Sequence, residues 1–108
     1  MDERERRIGL NEALFRQVNE AVSEISGDFE APDFEIVCEC GELSCNERIL
    51  ITNTAYSALR SESHRFAIVP GHEIPDVEQV VADNGNYYVV EKTNAEARAL
   101  AERTDPNS

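Results

Sequence analysis

Three cysteines crowded into eight residues place the strongest constraint on this chain. The segment Cys38-Glu39-Cys40-Gly41-Glu42-Leu43-Ser44-Cys45 contains every cysteine of the 108-residue sequence. An odd number of clustered thiols suits a disulfide framework poorly, whereas zinc binds sulfurs that converge from a tight turn. Gly41 can adopt the positive φ that such a turn needs. We therefore predict a metal site, and the alternatives are reduced thiols without metal and a redox or disulfide function.

A closed zinc site needs a fourth ligand from outside this segment, because zinc in structural sites is held by four protein groups. The chain has two histidines, His64 and His72. His72 follows Pro70-Gly71, a rigid turn that can hold an imidazole in a fixed place, whereas His64 lies in a polar segment. We therefore predict a structural Zn2+ site, with His64 as the alternative histidine. Its predicted ligands are Cys38, Cys40, Cys45 and His72.

The same four ligands could hold iron instead of zinc. Three cysteines and one histidine bind the cluster of some iron–sulfur proteins, so an iron–sulfur or redox-sensing protein is a second hypothesis. The Cys-Asp-Gly-Ser-His stretch of those proteins is missing here, and Cys45 is followed by Asn46-Glu47. The sequence therefore favours zinc.

Enzymatic use of the metal would need an open coordination position. The three cysteines would leave one if no histidine bound, and Glu39, Glu42 or Glu73 would then be the candidate base. Three thiolates make zinc a weak Lewis acid, however, and no deaminase, phosphate-loop or dinucleotide-binding motif is present. We therefore predict a protein without enzymatic activity, with a zinc hydrolase as the alternative. We expect these glutamates and Glu47 to form a solvated acidic face.

The charge balance bears on the partner. Twenty-two acidic residues against ten basic ones give a net charge of −12, which opposes phosphate binding through lysine and arginine. We predict no direct nucleic-acid partner and infer a protein partner of basic charge, while acidic mimicry of nucleic acid, as an inhibitor, is a third hypothesis. The sequence has no apolar stretch typical of a membrane helix or a signal peptide, which predicts no membrane association and a cytoplasmic location.

Hydrophobic periodicity predicts that the chain begins with a helix. Leu10, Leu14, Val18, Val22 and Ile25 recur at spacings of three or four residues. This spacing is typical of an amphipathic helix, which we place at about residues 2–26. We expect this apolar stripe to pack on a sheet.

Short strands and two smaller helices are predicted for the rest of the chain. Alternation puts Phe34, Ile36, Cys38 and Cys40 on one face of a strand over 34–40, which forms a hairpin with a strand over 48–52 around the cysteine loop. The remaining predicted elements are a helix to about residue 59 capped by Thr52 or Asn53, a strand over 65–69, a hairpin of 77–82 with 87–90 through an Asn84-Gly85 type I′ turn, and a helix opened by the capping box Thr93-Asn94-Ala95-Glu96. For 77–82, a helix is the alternative.

These elements predict an α+β fold, in which an N-terminal amphipathic helix packs on a small, mostly antiparallel sheet. A zinc-knuckle hairpin and a short C-terminal helix complete it. We predict one zinc-binding domain over 1–104 and a disordered tail over 105–108. The expected function is that of a small protein-interaction or regulatory module.

Four stretches of the sequence resemble a family of small bacterial proteins of unknown function. They are Asn11-Glu12-Ala13-Leu14-Phe15-Arg16 with Val18-Asn19-Glu20, Cys38-Glu39-Cys40-Gly41 with Cys45, Pro70-Gly71-His72-Glu73, and Tyr88-Val89-Val90-Glu91-Lys92. This resemblance spans nearly the whole chain, and it implies that the three cysteines and His72 belong together. It implies no activity.

Overall fold

The computed structural model describes residues 3–28 and 33–106, which form a mixed α+β fold. The elements within these residues are α1 (Glu3–Asp28), β1 (Asp33–Val37), β2 (Arg48–Thr52), α2 (Asn53–Arg60), β3 (Arg65–Ile68), β4 (Glu78–Asp83), β5 (Tyr88–Lys92) and α3 (Ala95–Arg103). The predicted α+β fold, with a long first helix and a short last one, is confirmed. None of the helices in the described ranges has both the length and the apolar character needed to cross a membrane.

The strands form two small antiparallel sheets, where we expected one. In the first, β1 pairs with β2, so that Phe34 lies opposite Ile51 and Ile36 lies opposite Ile49. In the second, β5 lies between β3 and β4. The two sheets meet just after β1, where the Glu39 N–H donates to the Ala67 carbonyl on β3 at 2.9 Å. β1 ends at Val37, and after one more hydrogen bond to the neighbouring segment, from the Cys38 N–H to the Glu47 carbonyl at 3.1 Å, the chain turns toward the second sheet.

The hairpin of β4 and β5 confirms the strand predicted over 77–82. Its turn differs from the prediction by one residue. The Asn84 N–H donates to the Tyr87 carbonyl at 2.9 Å, so Gly85 and Asn86 are the central residues. Gly85 has φ 86°, and a glycine at the first central position supplies the positive φ that two-residue hairpin turns need.

A single apolar core fills the space between the two sheets and α2. Phe34 and Tyr56 pack edge to face with their ring centroids 6.0 Å apart. The buried apolar residues of this cluster are Phe34, Ile36, Cys38, Cys40, Ile49, Ile51, Tyr56, Leu59, Phe66, Ala67, Ile68, Val89, Val90 and Ala101. Aliphatic residues from the two sheets supply half of this core, in keeping with the low aromatic content of 6%.

The orientation predicted for α1 is wrong. Leu14 and Ile25 are 50% and 58% exposed, and Leu10 and Val18 are also exposed. The side of the helix that packs on the protein carries three fully buried polar residues, Glu12, Arg16 and Asn19. Of the predicted apolar stripe, Val22 alone packs partly against the core.

Hydrogen bonds explain why polar residues of α1 face inward. The Asn19 amide donates to the Val37 carbonyl at 2.8 Å and accepts from the Val37 N–H at 2.9 Å, which pairs the backbone where β1 ends. The Arg16 guanidinium donates to the carbonyls of Ser63 and Ala101, at 2.7 and 2.8 Å. These are backbone groups that no strand or helix satisfies, and leaving them buried without a partner would cost about 1–3 kcal/mol each.

A buried ionic triad anchors the N-terminal half of α1. The Lys92 ammonium on β5 donates to Glu12 at 2.7 Å and to Glu78 at 2.9 Å, and all three side chains are buried. Burial raises the pKa of Glu12 to about 8, although Lys92 opposes this, while Glu78 adds to it. The raised pKa favours a proton on Glu12, which reduces the net negative charge of the buried triad.

Side-chain caps fix the starts of the two short helices. Thr52 caps α2 by accepting from the Ala55 N–H at 3.1 Å, as predicted. The cap of α3 is Asn94, which accepts from the Ala97 N–H at 2.7 Å, and the predicted cap Thr93 precedes it. Asp105, the first residue of the predicted tail, is buried and accepts from the Ser63 hydroxyl. Residues 107–108 lie outside the described residues.

Candidate metal centre

The cysteine segment forms a tight loop between β1 and β2. Gly41 has φ 82°, and the Cys45 N–H donates to the Glu42 carbonyl at 3.0 Å, which turns the chain back on itself. A Cβ on Gly41 would lie 2.9 Å from the Ile8 side chain of α1. Glycine is therefore needed both for the backbone conformation and for the close approach of the loop to α1. The Asn11 amide secures that approach by donating to the Gly41 carbonyl at 2.9 Å.

A second loop, between β3 and β4, brings in the histidine. The His72 N–H donates to the Val69 carbonyl at 3.0 Å, and Gly71 has φ 95°. Glu73 closes the turn by accepting from the Gly71 N–H at 2.9 Å. The Pro-Gly turn thus holds the imidazole in a defined position, as the sequence predicts.

The four predicted ligand atoms converge on one point. Nδ1 of His72 lies 3.6 Å from the sulfur of Cys38 and 3.7 Å from the sulfur of Cys45. With Cys40 included, all four atoms lie within 4.8 Å of one another. Zn–S bonds of about 2.3 Å and Zn–N bonds of about 2.0–2.1 Å at tetrahedral angles place sulfur and nitrogen about 3.6 Å apart, and two sulfurs about 3.8 Å apart. The two observed sulfur–nitrogen distances match this geometry, and the four atoms lie close enough together to hold a metal ion.

Backbone N–H groups point at all three sulfurs. The Val69 N–H donates to the sulfur of Cys38 at 3.2 Å. The sulfur of Cys40 accepts from the Glu42 backbone, and that of Cys45 accepts from the Glu47 backbone. These donors offset the negative charge that three thiolates would place in one small volume, and so favour the deprotonated form that a metal requires.

The three thiols of the cluster shift one another's pKa values. A hydrogen bond from Cys38 is the main reason why the pKa of Cys40 falls to about 5. The same hydrogen bond, together with burial, raises the pKa of Cys38. Burial raises the pKa of Cys45, and Cys40 adds to that shift. A bound cation would favour loss of the protons from all three thiols.

The site is open to solvent on one side. Cys38 and Cys40 are buried, whereas Cys45 and His72 are half-buried. A surface depression of about 430 Å³ adjoins them. Its lining residues are Cys40, Glu42, Ser44, Cys45, Asn46, Glu47, His72 and Ile74.

Glu39, between two of the cysteines, is not part of a solvated face. It is fully buried, and its carboxylate points away from the sulfurs toward α1 and α2. One carboxylate oxygen accepts from the Asn19 amide at 2.8 Å and from the Tyr56 hydroxyl at 2.9 Å. The other accepts from the Ala67 N–H at 3.0 Å. With these partners Glu39 holds the loop from the side opposite the sulfurs, and it is not available as a base at the metal.

The remaining predicted candidates lie as follows. The structure does not bring His64 to the cluster, because its Nε2 lies 2.7 Å from a carboxylate oxygen of Glu102 on α3. Glu42 and Glu47 are exposed beside the depression, as expected, and Glu73 is half-buried.

The anchoring function of Glu39 was not predicted from the sequence. The sequence does carry a signal for it, because strand alternation places Glu39 on the face opposite Cys38 and Cys40.

Comparison with known proteins finds no matching family model, curated protein or solved structure. What can be said about function therefore comes from the site itself. Within the described residues, three cysteines and one histidine form a group that is close enough to hold a metal ion.

Proposed function

We propose that this chain is a small zinc-binding protein in which one structural Zn2+ is held by four side chains. They are Cys38, Cys40, Cys45 and His72. The observation that carries the proposal is the convergence of their ligand atoms, from two separate loops, to within 4.8 Å. A cluster of several irons would need its ligands spread more widely than a single ion does, so this spacing supports zinc over an iron–sulfur centre.

The donor set supports a structural rather than a catalytic metal. Four protein ligands complete the tetrahedral shell that zinc prefers, which leaves no position for water or substrate. Three thiolates also donate much electron density and weaken the metal as a Lewis acid. We therefore propose a protein without enzymatic activity.

The position of the ligands indicates what the metal does for the fold. The cysteines belong to the loop of the β1–β2 sheet, whereas His72 belongs to a loop of the β3–β5–β4 sheet. An ion bound by both ties the two sheets together at the point where few backbone hydrogen bonds connect them. In small domains of this kind the free energy of metal binding is largely free energy of folding.

An interaction or regulatory function fits the exposed side of the loop. Leu43 is 65% exposed at the tip, between the exposed side chains of Glu42 and Ser44. The metal would hold this segment rigid, so that a partner binds it without the entropic cost of ordering a flexible loop. Glu42, Glu47 and the net charge of −12 support a protein partner of basic charge.

The test is metal analysis of the purified protein with matched variants. We expect one zinc per chain in the wild type and in His64→Ala, and a large loss of zinc in Cys40→Ser and His72→Ala. His64 is the matched control, because it is the other histidine and pairs with Glu102 away from the cluster. Equal loss of zinc from both histidine variants would contradict the ligand assignment.

Chelation tests the structural function of the metal separately. Removal of zinc should abolish the cooperative unfolding transition, and addition of zinc should restore it. A native melting curve after complete metal removal would refute a structural ion, and iron in protein prepared without oxygen would refute zinc.

A further inference from the structure

Within residues 3–28 and 33–106, no other part of the chain covers the apolar face of α1. Leu10, Leu14, Val18 and Ile25 are all exposed large apolar side chains, and at 3.6 residues per turn they fall with Ala21 within an arc of about 80°. This stripe lies opposite the buried polar face of the helix and runs about 22 Å along it, at 1.5 Å per residue. An exposed apolar stripe of this length marks an interaction surface.

Charge is distributed unevenly along the exposed side of α1. Arg6 and Arg7 precede the stripe, and both are exposed. Glu24 lies beside its other end and is exposed too. Although Glu3 is also exposed in the first turn, Arg6 and Arg7 make the helix surface beside the stripe basic near its N-terminus, and Glu24 makes it acidic near its C-terminus.

We propose that two copies of this chain associate through α1, with the two helices antiparallel and the stripes covering each other. With a twofold axis that passes between Leu14 and Val18, Leu14 of each copy packs against Val18 of the other copy. The same axis brings Arg6 and Arg7 of each copy close to Glu24 of the second copy, so that two equivalent sets of opposite charges form.

The charge pattern favours a second copy of this chain as the partner, and it favours an antiparallel arrangement of the two helices. In a parallel pair, Arg6 would face Arg6 and Glu24 would face Glu24, and like charges in such positions are destabilising. In an antiparallel pair the same helix is complementary to itself, as a twofold interface requires. An anionic lipid surface is a poor alternative, because a net charge of −12 is repelled by it.

The proposed interface contains none of the four metal ligands, although the cysteine loop packs against the same helix. The polar face of α1 holds it rigidly on the protein through Glu12, Arg16 and Asn19. The stripe is therefore presented as a fixed surface, and its coverage requires no rearrangement of the fold. One helix pair is a small interface, so we expect a dissociation constant of about micromolar order.

Sedimentation equilibrium of the full-length, zinc-loaded protein from about 1 µM to about 1 mM tests the proposal. We expect the mass to rise with concentration to twice the 12.1 kDa of one chain. Leu14→Glu should remain monomeric throughout, because it places a charge on each side of the twofold axis. The matched control is Leu50→Glu, since Leu50 is 55% exposed but lies on β2, and this variant should dimerise like the wild type.

Charge reversal tests the direction of the helices. Arg6→Glu and Glu24→Arg should each weaken the dimer about tenfold, because attraction becomes repulsion at two equivalent contacts. The double variant should restore it. A wild type that stays monomeric at every concentration, or a dimer unchanged in Leu14→Glu, would overturn the proposal. Failure of the double variant to recover would overturn the antiparallel arrangement. Helix content and bound zinc, measured on every variant, show that each one is folded.

Discussion

Removal of the Tyr56 hydroxyl should destabilise the protein without displacing its metal. This hydroxyl donates to Glu39 at 2.9 Å, and both side chains are buried. Burial raises the pKa of Tyr56, and the Glu39 carboxylate raises it further. The hydroxyl therefore keeps its proton and remains a hydrogen-bond donor at neutral pH. In Tyr56→Phe the ring can keep its edge-to-face contact with Phe34, and only the hydrogen bond is lost.

The expected cost follows from the charge of the acceptor. A hydrogen bond to an ionised group contributes about 1.5–3 kcal/mol, roughly twice a neutral one. The Glu39 carboxylate keeps two other donors, the Asn19 amide and the Ala67 N–H, so we expect a loss of about 2 kcal/mol. For a chain of this size that corresponds to a fall in Tm of roughly 10 °C.

Urea unfolding followed by far-UV circular dichroism, at a fixed excess of zinc, measures this loss. Circular dichroism is preferable to tyrosine fluorescence, because the substitution removes a fluorophore. The control is Tyr87→Phe: Tyr87 is half-buried, and its hydroxyl makes no hydrogen bond within the described part of the chain. We expect zinc stoichiometry to stay the same in both variants. A free energy of unfolding for Tyr56→Phe within about 0.5 kcal/mol of that control would refute the reasoning.

Further predictions concern the triad and the helix caps. Because the pKa of Glu12 is raised to about 8 from 4.5, the folded protein holds a proton that the unfolded chain releases, and stability falls as pH rises through that interval, by up to about 1.4 kcal/mol per unit. Glu12→Gln should flatten this dependence in urea titrations between about pH 6 and 8; parallel curves for variant and wild type would contradict the shift. Lys92→Met should lower the free energy of unfolding by about 3–5 kcal/mol, since it leaves two buried carboxyl groups without their cation, and the double variant with Glu12→Gln should recover part of that loss. In thermal melts, Asn94→Ala should lower the free energy of unfolding by about 1 kcal/mol, and Thr93→Ala should lower it by less than about half of that. If Thr93→Ala were the more destabilising variant, Thr93 and not Asn94 would be the cap of α3.

The candidate metal centre was accessible to sequence reasoning because its signals are local. The spacing of three cysteines around Gly41 predicts a loop whose sulfurs converge, whatever the rest of the fold does. The Pro70-Gly71 turn likewise marks His72 as the histidine in a fixed place. Distances of 3.6 and 3.7 Å between its Nδ1 and two of the sulfurs agree with that choice.

The orientation of α1 was not accessible in the same way. Its periodic apolar residues predict a helix correctly, but periodicity assigns the apolar side to the core only when the rest of the protein offers an apolar surface. Here α1 lies over unpaired backbone groups and a buried lysine. Arg16 and Asn19 satisfy those carbonyls, Glu12 meets Lys92, and the leucines are left outside.

The sequence by itself determined the helix and the hairpins and indicated the four residues of the candidate metal group. Each of these depends on a local pattern, the cysteine spacing in one short segment and the Pro70-Gly71 turn in another. Only the tertiary structure decided which face of α1 is buried, that the strands form two sheets, and that Glu39 anchors the loop from within. These outcomes depend on which backbone groups remain unpaired once the sheets form. The residues that satisfy these backbone groups come from segments distant in sequence, so a local sequence pattern cannot predict which residues they are.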